Sequence, residues 1–460
     1  MTPQEVAGGL LGEAGLPGTL RESLHLSGQE PVLPSSFRVD AAAQAAIGAA
    51  GLAAAEIWRR RTGAAQTVAV NMRAAAAEFR SERYLRLDGK PPGETWDALA
   101  GVYRTADGWV RLHTNFPHHR AGVVRLLGCA DDREAVKTAL LREKAVDFET
   151  KATAAGMCVA ALRSFAEWDA HPHALSMRGR NPLRIERIGD AAREPFRPDP
   201  SRPLEGVRVL ELTRVIAGPV AGRTLAAHGA DVLHITGPGV PNMDVLLPDT
   251  NRGKRPAVLD LKAAAGAARL RELVAGADVF LQSYRHGALD SLGFGPAALA
   301  ALRPGIVYAT LSAYGEDGPW GGKRGFDSLV QVATGFNHAE AAAAGSNTPK
   351  ALPCQALDHA SGYLLTLGAM AALLRRAEQG GSWCVRVSLA GTGHWLRRLG
   401  RLADGFSVAA PGQDAIADLL AESDSDFGRM RAVRHAAVLS ATPAHWALPA
   451  RRLGSYPASW

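Results

Sequence analysis

The sequence predicts an α/β protein in which a Rossmann-like parallel sheet with crossover helices is joined to a smaller α+β domain. Three observations predict it. From Leu204 onward, short apolar runs alternate with helical patterns, the texture of strands buried on both faces beneath crossover helices. Before that point the chain carries an alternating hairpin followed by helical periodicity, and the two regimes meet at the proline-rich EPFRPDPSRP of residues 194–203. Finally, one long apolar run with an acid at its start occurs twice, at 36–72 and at 352–389.

In chain order, residues 1–35 are punctuated by Gly and Pro and read as an irregular or helical lead-in. Residues 36–193 form the small α+β domain and contain the first copy of the apolar run. Within it, GKPPG at 89–93 breaks a helix, and Val102 to Leu112 forms a hairpin turning at Asp107-Gly108. From Asp131 to about His173 the pattern is helical. After the 194–203 linker, residues 204–395 form the Rossmann-like domain. Its strands are expected at Val207–Leu212, Val232–Ile235, Ala257–Asp260, Val279–Gln282 and Ile306–Ala309, with helical patterns such as Ala221–His228 and Ala263–Val274 between them. Ligands of such sheets bind at the carboxyl ends of the strands. The tail, residues 396–460, reads as helical, with a second helix near Phe427–Leu439, and packs against the repeated run or a partner subunit.

The second copy, LPCQALDHASGYLLTLGAMAALLRRAEQGGSWCVRVSL, places Asp358 at the start of a helix apolar on most of its circumference. An acid there is either a cap for the first-turn N–H groups or a functional carboxylate at the mouth of a core. In the first copy, Gly51–Gly63 overlays Gly368–Gly380 without a gap, and Val68, Val70 and Met72 fall on Val385, Val387 and Leu389. Asp40 falls one position out of register with Asp358, so an indel is needed to match them. Two copies are too few for a solenoid. They read as a duplicated joint in which Asp40 has lost its task.

At 460 residues the chain is long enough for two or three domains, and 47% apolar with 21% charged content is ordinary for a globular protein. A formal charge of +7 and a pI near 9.4 suit an anionic ligand, but Arg is scattered rather than blocked, so no nucleic-acid partner is expected. Cys129, Cys158, Cys354 and Cys384 have no metal-ligand spacing and read as reduced core thiols, which points to a cytoplasmic setting and to no metal. The N-terminus lacks the pattern of a signal peptide, and the Ala41–Ile57 run is too short to span a bilayer, so no membrane is expected. The loop Thr213 to Val220 is no GxGxxG fingerprint; it reads first as a tight strand–helix turn with solvated arginines, although the N–H groups at that helix start, with Arg214 and Arg223 nearby, are also able to receive a phosphate.

Residues 203–235, NRGKRPAVLDLK (251–262), GALDSLGFGP (287–296), LSAYGEDGPWGGKRGFDSLVQVATG (311–335) and DHASG (358–362) together resemble the class III CoA-transferase family. That family includes formyl-CoA and carnitine CoA-transferases and α-methylacyl-CoA racemases. Gly101–Thr114 and Phe165–His173 resemble its small domain. In the family the Rossmann part precedes the Asp helix and the small domain; here the order is reversed and the helix stands at both ends, an arrangement that reads as circular permutation.

The resemblance implies that Asp358 is the nucleophile. It also implies that coenzyme A is held by the loop containing Arg214, Val215 and Ala217, by Lys254 and Arg255, by Ser283, and by Leu292 near the adenine. Tyr314 and Gly315, in the glycine-rich loop Ser312–Gly318, stand where oxyanion donors are needed. Three positions depart from the family's pattern: Thr236-Gly237, Ser283 and Ser312 replace an acidic-basic pair, an Asn and a Lys. The racemase branch carries a His where Phe326 stands, which argues against racemisation. The implied activity is acyl-CoA:carboxylate CoA transfer through an aspartyl intermediate, with acyl-CoA and a carboxylic acid as substrates, no bound cofactor and a homodimeric assembly as in the family. Two rivals are a non-catalytic acyl-CoA-binding paralogue and an acyl-CoA racemase or epimerase, in which His359 would be a second base.

Overall fold

Valine- and leucine-rich runs flanked by small-residue helices leave the chain one way to satisfy its backbone, a sheet covered on both faces. The computed structural model describes residues 1–460. Its central sheet has seven strands, β1 (Leu183–Gly189), β2 (Arg208–Leu212), β3 (Asp231–Thr236), β4 (Lys254–Val258), β5 (Val279–Gln282), β6 (Val307–Ser312) and β7 (Ser382–Ser388). Their spatial order is β4-β3-β2-β5-β6-β7-β1. The first six are mutually parallel and β1 closes the edge antiparallel to β7. Strand order reverses between β2 and β5, and a crevice opens at such a point.

The expected third strand is displaced. It begins at Lys254 rather than Ala257 because its two cations have partners on neighbouring strands: Lys254 reaches Glu211 on β2 and Arg255 pairs with Asp231 on β3. Leu183–Gly189, expected in the small domain, is instead the edge of the large sheet, where its alternating residues pair with Ser382–Val387. The remainder of the small unit is a three-stranded sheet, Gly101–Arg104, Trp109–Leu112 and Val159–Ala161, with helices on one side. The last of these strands interrupts the helical stretch expected from Asp131 to His173.

The repeated run forms two helices of 24 residues each, α1 (Val39–Thr62) and α3 (Ala356–Gln379), which pack on each other and on the sheet-covering helix α2 (Ala217–Ala227). Both pass the length and apolarity of a membrane span, contrary to the expectation for the first, but 94% of the apolar stretch in α1 and all of that in α3 is buried within the protein. Each helix ends on a glycine, Gly63 or Gly380, and is followed by a strand lying parallel to a strand from before the helix. For α3 these strands are β6 and β7. For α1 they are Leu24–Ser27 and Val68–Asn71, so the lead-in contains a strand that the reading missed.

The tail is not helical. Asp414–Leu419 is a 3-10 turn, and Leu420–Ser425 with Gly428–Val433 forms a hairpin that continues onto Arg86–Leu87. Gly428, at φ 111°, supplies the backbone that the Asp426-Phe427-Gly428 turn needs, so an alternating pattern prevails over a helical one. Ala437–Leu439 then pairs antiparallel with Val68–Asn71. Trp446 donates to the Arg223 carbonyl and Trp460 to that of Leu273, fastening the tail to the Rossmann-like part in cis.

Candidate active site

Helix α3 begins at Ala356, and its first-turn N–H groups need an acceptor. Asp327, the first residue of the helix Asp327–Ala333, supplies it: one carboxylate oxygen accepts from the N–H of Leu357 at 2.8 Å and of Asp358 at 3.1 Å. Its other oxygen accepts from Gln331 Nε2, and Gln331 in turn accepts from the Leu352 N–H, so the cap is itself braced. Asp358 is therefore not the cap. Its own carboxylate makes no hydrogen bond to the protein, and although the residue is only 7% exposed it lines two cavities at once.

The larger cavity is a cleft of about 1150 Å³ at the carboxyl ends of β2 and β5, where the strand order reverses. Arg214, Val215 and Ala217 line it from the loop after β2, and Ser283, Tyr284 and Arg285 from the loop after β5. Phe116, His118, His119 and Cys158 close it from the small domain, and Lys323, Arg324 and Phe326 from the segment before Asp327. Arg214 lies between the Phe116 and Tyr284 rings, 5.3 and 5.5 Å from their centroids, and donates to the Pro241 carbonyl. Arg214, Arg285 and Arg324 make no ion pair, and Asp358 is the one acid in the lining.

The smaller cavity, about 480 Å³, lies on the other side of Asp358, with Val215, Ile216 and Phe326 forming a waist between the two. Val215 at φ 73° is a β-branched residue in the left-handed region, a costly conformation that the packed surroundings enforce. Those surroundings are tight: a Cβ at Gly218 would lie 2.6 Å from Thr213 Cβ and 2.9 Å from Ser283 Oγ.

Burial, then the like charges of Asp327 and Glu82, push the Asp358 carboxyl well above the ordinary carboxylate range. Asp327 is itself pushed up to about 6, chiefly by burial. The helix terminus does not offset this, because Asp327 occupies the N–H groups that would have favoured an ionised Asp358. Burial lowers His119 to about 4 and His113 to about 3, so both imidazoles are neutral at pH 7. Burial also raises the Cys158 thiol to about 12, which leaves it a poor nucleophile.

Several residues implied by the resemblance lie elsewhere. Lys254 is fully buried, donating to Glu211 at 2.8 Å and to the Pro219 carbonyl at 2.9 Å; it holds α2 against the sheet and cannot reach a ligand. Arg255 is spent on Asp231 and the Ser459 carbonyl. Leu292 lies outside the cleft lining on a surface turn. Tyr314 and Gly315 line a separate polar pocket behind β6, where the Tyr314 carbonyl accepts from His173 and the Gly315 N–H donates to Ser312 Oγ; only Ser312 and Ala313 of that region border the cleft. Arg223, weighed as a phosphate ligand, is buried in a network with Asp249 and Ser81. His359 is buried against Glu82 at 3.1 Å and stacks on Phe79, so it is no base in the cleft.

The sequence reading also missed residues that the cleft uses. Asp327 directly follows the Phe326 already singled out, and its place four residues before Gln331 was a signal for a braced cap. His118 and His119 follow Pro117 at a helix start, with nothing local to tie them to a residue 240 positions later.

The model of CoA-transferase family III matches residues 14–180 and 204–450. The chain belongs to that family. Among its relatives, the Probable fatty acyl-CoA transferase Rv3272 of Mycobacterium tuberculosis is 35% identical over 205 residues, covering 42% of this chain and 51% of the relative. The Succinate--glutarate CoA-transferase of Agrobacterium fabrum is 36% identical over 157 residues, 30% of this chain and 39% of the relative. The Alpha-methylacyl-CoA racemase of Mus musculus is 34% identical over 177 residues, 38% and 45% of the two chains. This CoA-transferase family III chain thus spans about half the length, or less, of these curated relatives.

Proposed function

We propose that the protein is an acyl-CoA:carboxylate CoA-transferase in which Asp358 is the covalent nucleophile. The observation that carries this reading is the position of Asp358 as the only carboxylate of a cation-lined cleft, free of hydrogen bonds, at the point where that cleft meets a second cavity. Coenzyme A is a chain of phosphates and a pantetheine arm. Arg214, Arg285 and Arg324, unpaired along the large cleft, suit the phosphates, and the waist at Val215 and Phe326 suits a thioester carried to Asp358.

The chemistry then runs in four balanced steps. The Asp358 carboxylate attacks the thioester carbonyl, and the C–S bond breaks to give a mixed anhydride and CoA thiolate. The thiolate attacks the Asp358 carbonyl carbon, releasing the donor carboxylate and leaving an aspartyl-CoA thioester. An acceptor carboxylate attacks that thioester, giving a second anhydride and thiolate. The thiolate takes the acceptor's acyl carbon, which regenerates the Asp358 carboxylate. One negative charge is handed on at every step, so no external acid or base is consumed. The raised pKa strengthens the nucleophile once its proton has left.

The test is hydroxylamine trapping during incubation with acyl-CoA. A hydroxamate at Asp358, absent from Asp358→Asn, is the expected result; no adduct with intact acyl-CoA binding would make the protein a binding paralogue instead. A second reading has support of its own. The absence of a histidine at Phe326 does not leave the cleft without an imidazole, because His118 and His119 enter it from the small domain together with Asp358. Deuterium wash-in at the α-carbon of a 2-methylacyl-CoA, with no exchange of CoA between acids, would favour the racemase.

A further inference from the structure

Acyl transfer to a carboxylate passes through a tetrahedral carbon whose oxygen carries a negative charge, and that oxygen needs hydrogen-bond donors fixed beside Asp358. The Ser312–Gly318 loop does not supply them at that point, because the Gly315 N–H donates back to Ser312 Oγ and lines another pocket. The smaller cavity is also hostile to an unassisted anion. Glu82, Asp327 and Asp358 all border it, and its one cation, Arg83, lies 3.5 Å from Glu82 and donates to Gln355 Oε1 at 3.3 Å. Two side chains of the lining, Ser328 at 5% and His113 at 3% exposed, carry a buried polar atom with no protein partner, Ser328 Oγ and His113 Nδ1. Buried polar atoms are normally paired, so unpaired ones in a cavity wall point to a polar occupant.

Local structure explains why both atoms stay free. Ser328 is the second residue of the helix Asp327–Ala333, so no helical turn precedes it whose carbonyl its hydroxyl could take. The same helix is tied to the start of α3, since Asp327 accepts from the Asp358 N–H at 3.1 Å, and this holds Ser328 beside the reacting carboxylate. A serine hydroxyl turns between staggered positions, which lets it meet an oxygen entering the cavity. His113 follows the strand Trp109–Leu112; its N–H donates to the Cys158 carbonyl at 3.0 Å, and its ring lies flat on Phe326 with centroids 3.8 Å apart, which fixes the imidazole plane. We infer that Ser328 and His113 are the donors for the acyl oxygen at Asp358. As the carboxylate bonds to the thioester carbon, the carbonyl electron pair moves onto oxygen and is held by the Ser328 hydroxyl and by Nδ1–H of the neutral imidazole. It returns as the C–S bond breaks and thiolate leaves. Both groups keep their protons throughout, so they stabilise charge without acting as acid or base. The inference rests on the reading of Asp358 as the acyl-accepting residue.

Infrared spectroscopy of the Asp358→Ala protein, which cannot form the adduct and brings no donor of its own, tests the donors apart from the nucleophile. The probe is acetyl-CoA with carbon-13 at the carbonyl, whose C=O stretch falls when the oxygen accepts hydrogen bonds. A band below that of free acetyl-CoA is expected in Asp358→Ala. It should return toward the free position in Asp358→Ala/Ser328→Ala and in Asp358→Ala/His113→Phe, the second of which keeps the stack on Phe326. In the Asp358-containing protein, Ser328→Ala should lower kcat by about 100-fold, the loss typical of one oxyanion donor, with KM within a few-fold and the pH inflection of kcat/KM unmoved. A merely structural serine would instead disturb Asp327 and Asp358 and shift that inflection. Ser328→Thr, which keeps the hydroxyl, should recover part of the rate. A band that stays in place in both double variants, or a kcat that Ser328→Ala leaves within a few-fold, would overturn the assignment, whether or not hydroxylamine traps an adduct at Asp358. Unchanged circular dichroism is the control for folding.

Discussion

Helices α1 and α3 have the same length, the same closing glycine and the same following strand, yet only one presents an acid to a cleft. The structure aligns them in register from end to end, Val39 with Ala356 and Gly63 with Gly380, with no insertion between. Asp40 is then the second residue of its helix and Asp358 the third of its own. One residue is a turn of about 100° around the axis, enough to aim two otherwise equivalent carboxylates at different surroundings. Asp40 accepts from the N–H groups of Val32 at 2.7 Å and Leu33 at 3.2 Å and fixes a loop. Asp358 accepts nothing and stays available. The single-residue offset between the two acids thus goes with two different surroundings.

The largest effect expected from this contrast is on turnover. Asp358→Asn should lower kcat by about 10³-fold or more, as removal of a covalent nucleophile does, whereas Asp40→Asn should leave it within a few-fold; equal losses in steady-state assays would erase the distinction.

Packing comes next. A Cβ on Gly368 would lie 2.4 Å from Val385 Cγ1 and 2.7 Å from Leu183 Cδ1, while one on Gly51 would lie 2.8 Å from Val68 Cγ1 and no closer than 3.4 Å to its next neighbour, Ala437 Cβ. Gly368→Ala should therefore destabilise by about 2–3 kcal/mol and Gly51→Ala by about 1–2 kcal/mol in denaturant melts, the range for overpacked cores. The reverse ranking would show that the first copy is the more rigid of the two.

Burial pushes both acids up, Asp40 to about 6, but only Asp40 is hydrogen-bonded, so removing them tests two different contributions to stability. Asp40→Ala orphans two N–H groups and should cost about 1–2 kcal/mol. Asp358 has a folded-state pKa above its unfolded value, so the native state binds the extra proton and stability declines as pH rises from about 4 toward that folded pKa. Asp358→Asn removes the decline: its melting temperature should exceed that of the original protein at pH 8, and the gap should close toward pH 4. A gap that widened on acidification would mean Asp358 is held ionised after all.

The smallest effect is a displacement of the pH profile. The logarithm of kcat/KM should rise with pH through an inflection above the ordinary carboxylate range, and Asp327→Asn should move that inflection down by removing a neighbouring charge while leaving burial, the larger cause, in place.

Much of the architecture was readable because it rests on local periodicity. The alternation of apolar strands and small-residue helices marks β2 to β6, and DxxxG on an apolar run marks the one acid that both cavities share. Lys254 and Arg255 were misread for the opposite reason. A basic pair before a strand looks the same whether it faces solvent, a phosphate, or Glu211 and Asp231 on neighbouring strands, and strand adjacency is a long-range fact. The tail hairpin is itself a local pairing of Leu420–Ser425 with Gly428–Val433 that a helical reading overrode, and only its docking of Met430 and Arg431 onto Arg86–Leu87 is long-range.

By itself, then, the sequence determined the alternation of strands and helices in the Rossmann-like part, that a long apolar helix is duplicated, and which acid begins the second copy, since each is a property of neighbours along the chain. Tertiary structure alone decided that Asp327 caps the helix and so frees Asp358, that the small domain's histidines enter the same cleft, and that Lys254 does not. Those outcomes depend on which surfaces meet when the core is buried. Burial, by stripping water from a carboxylate between two others, also sets the proton affinity on which the proposed chemistry turns.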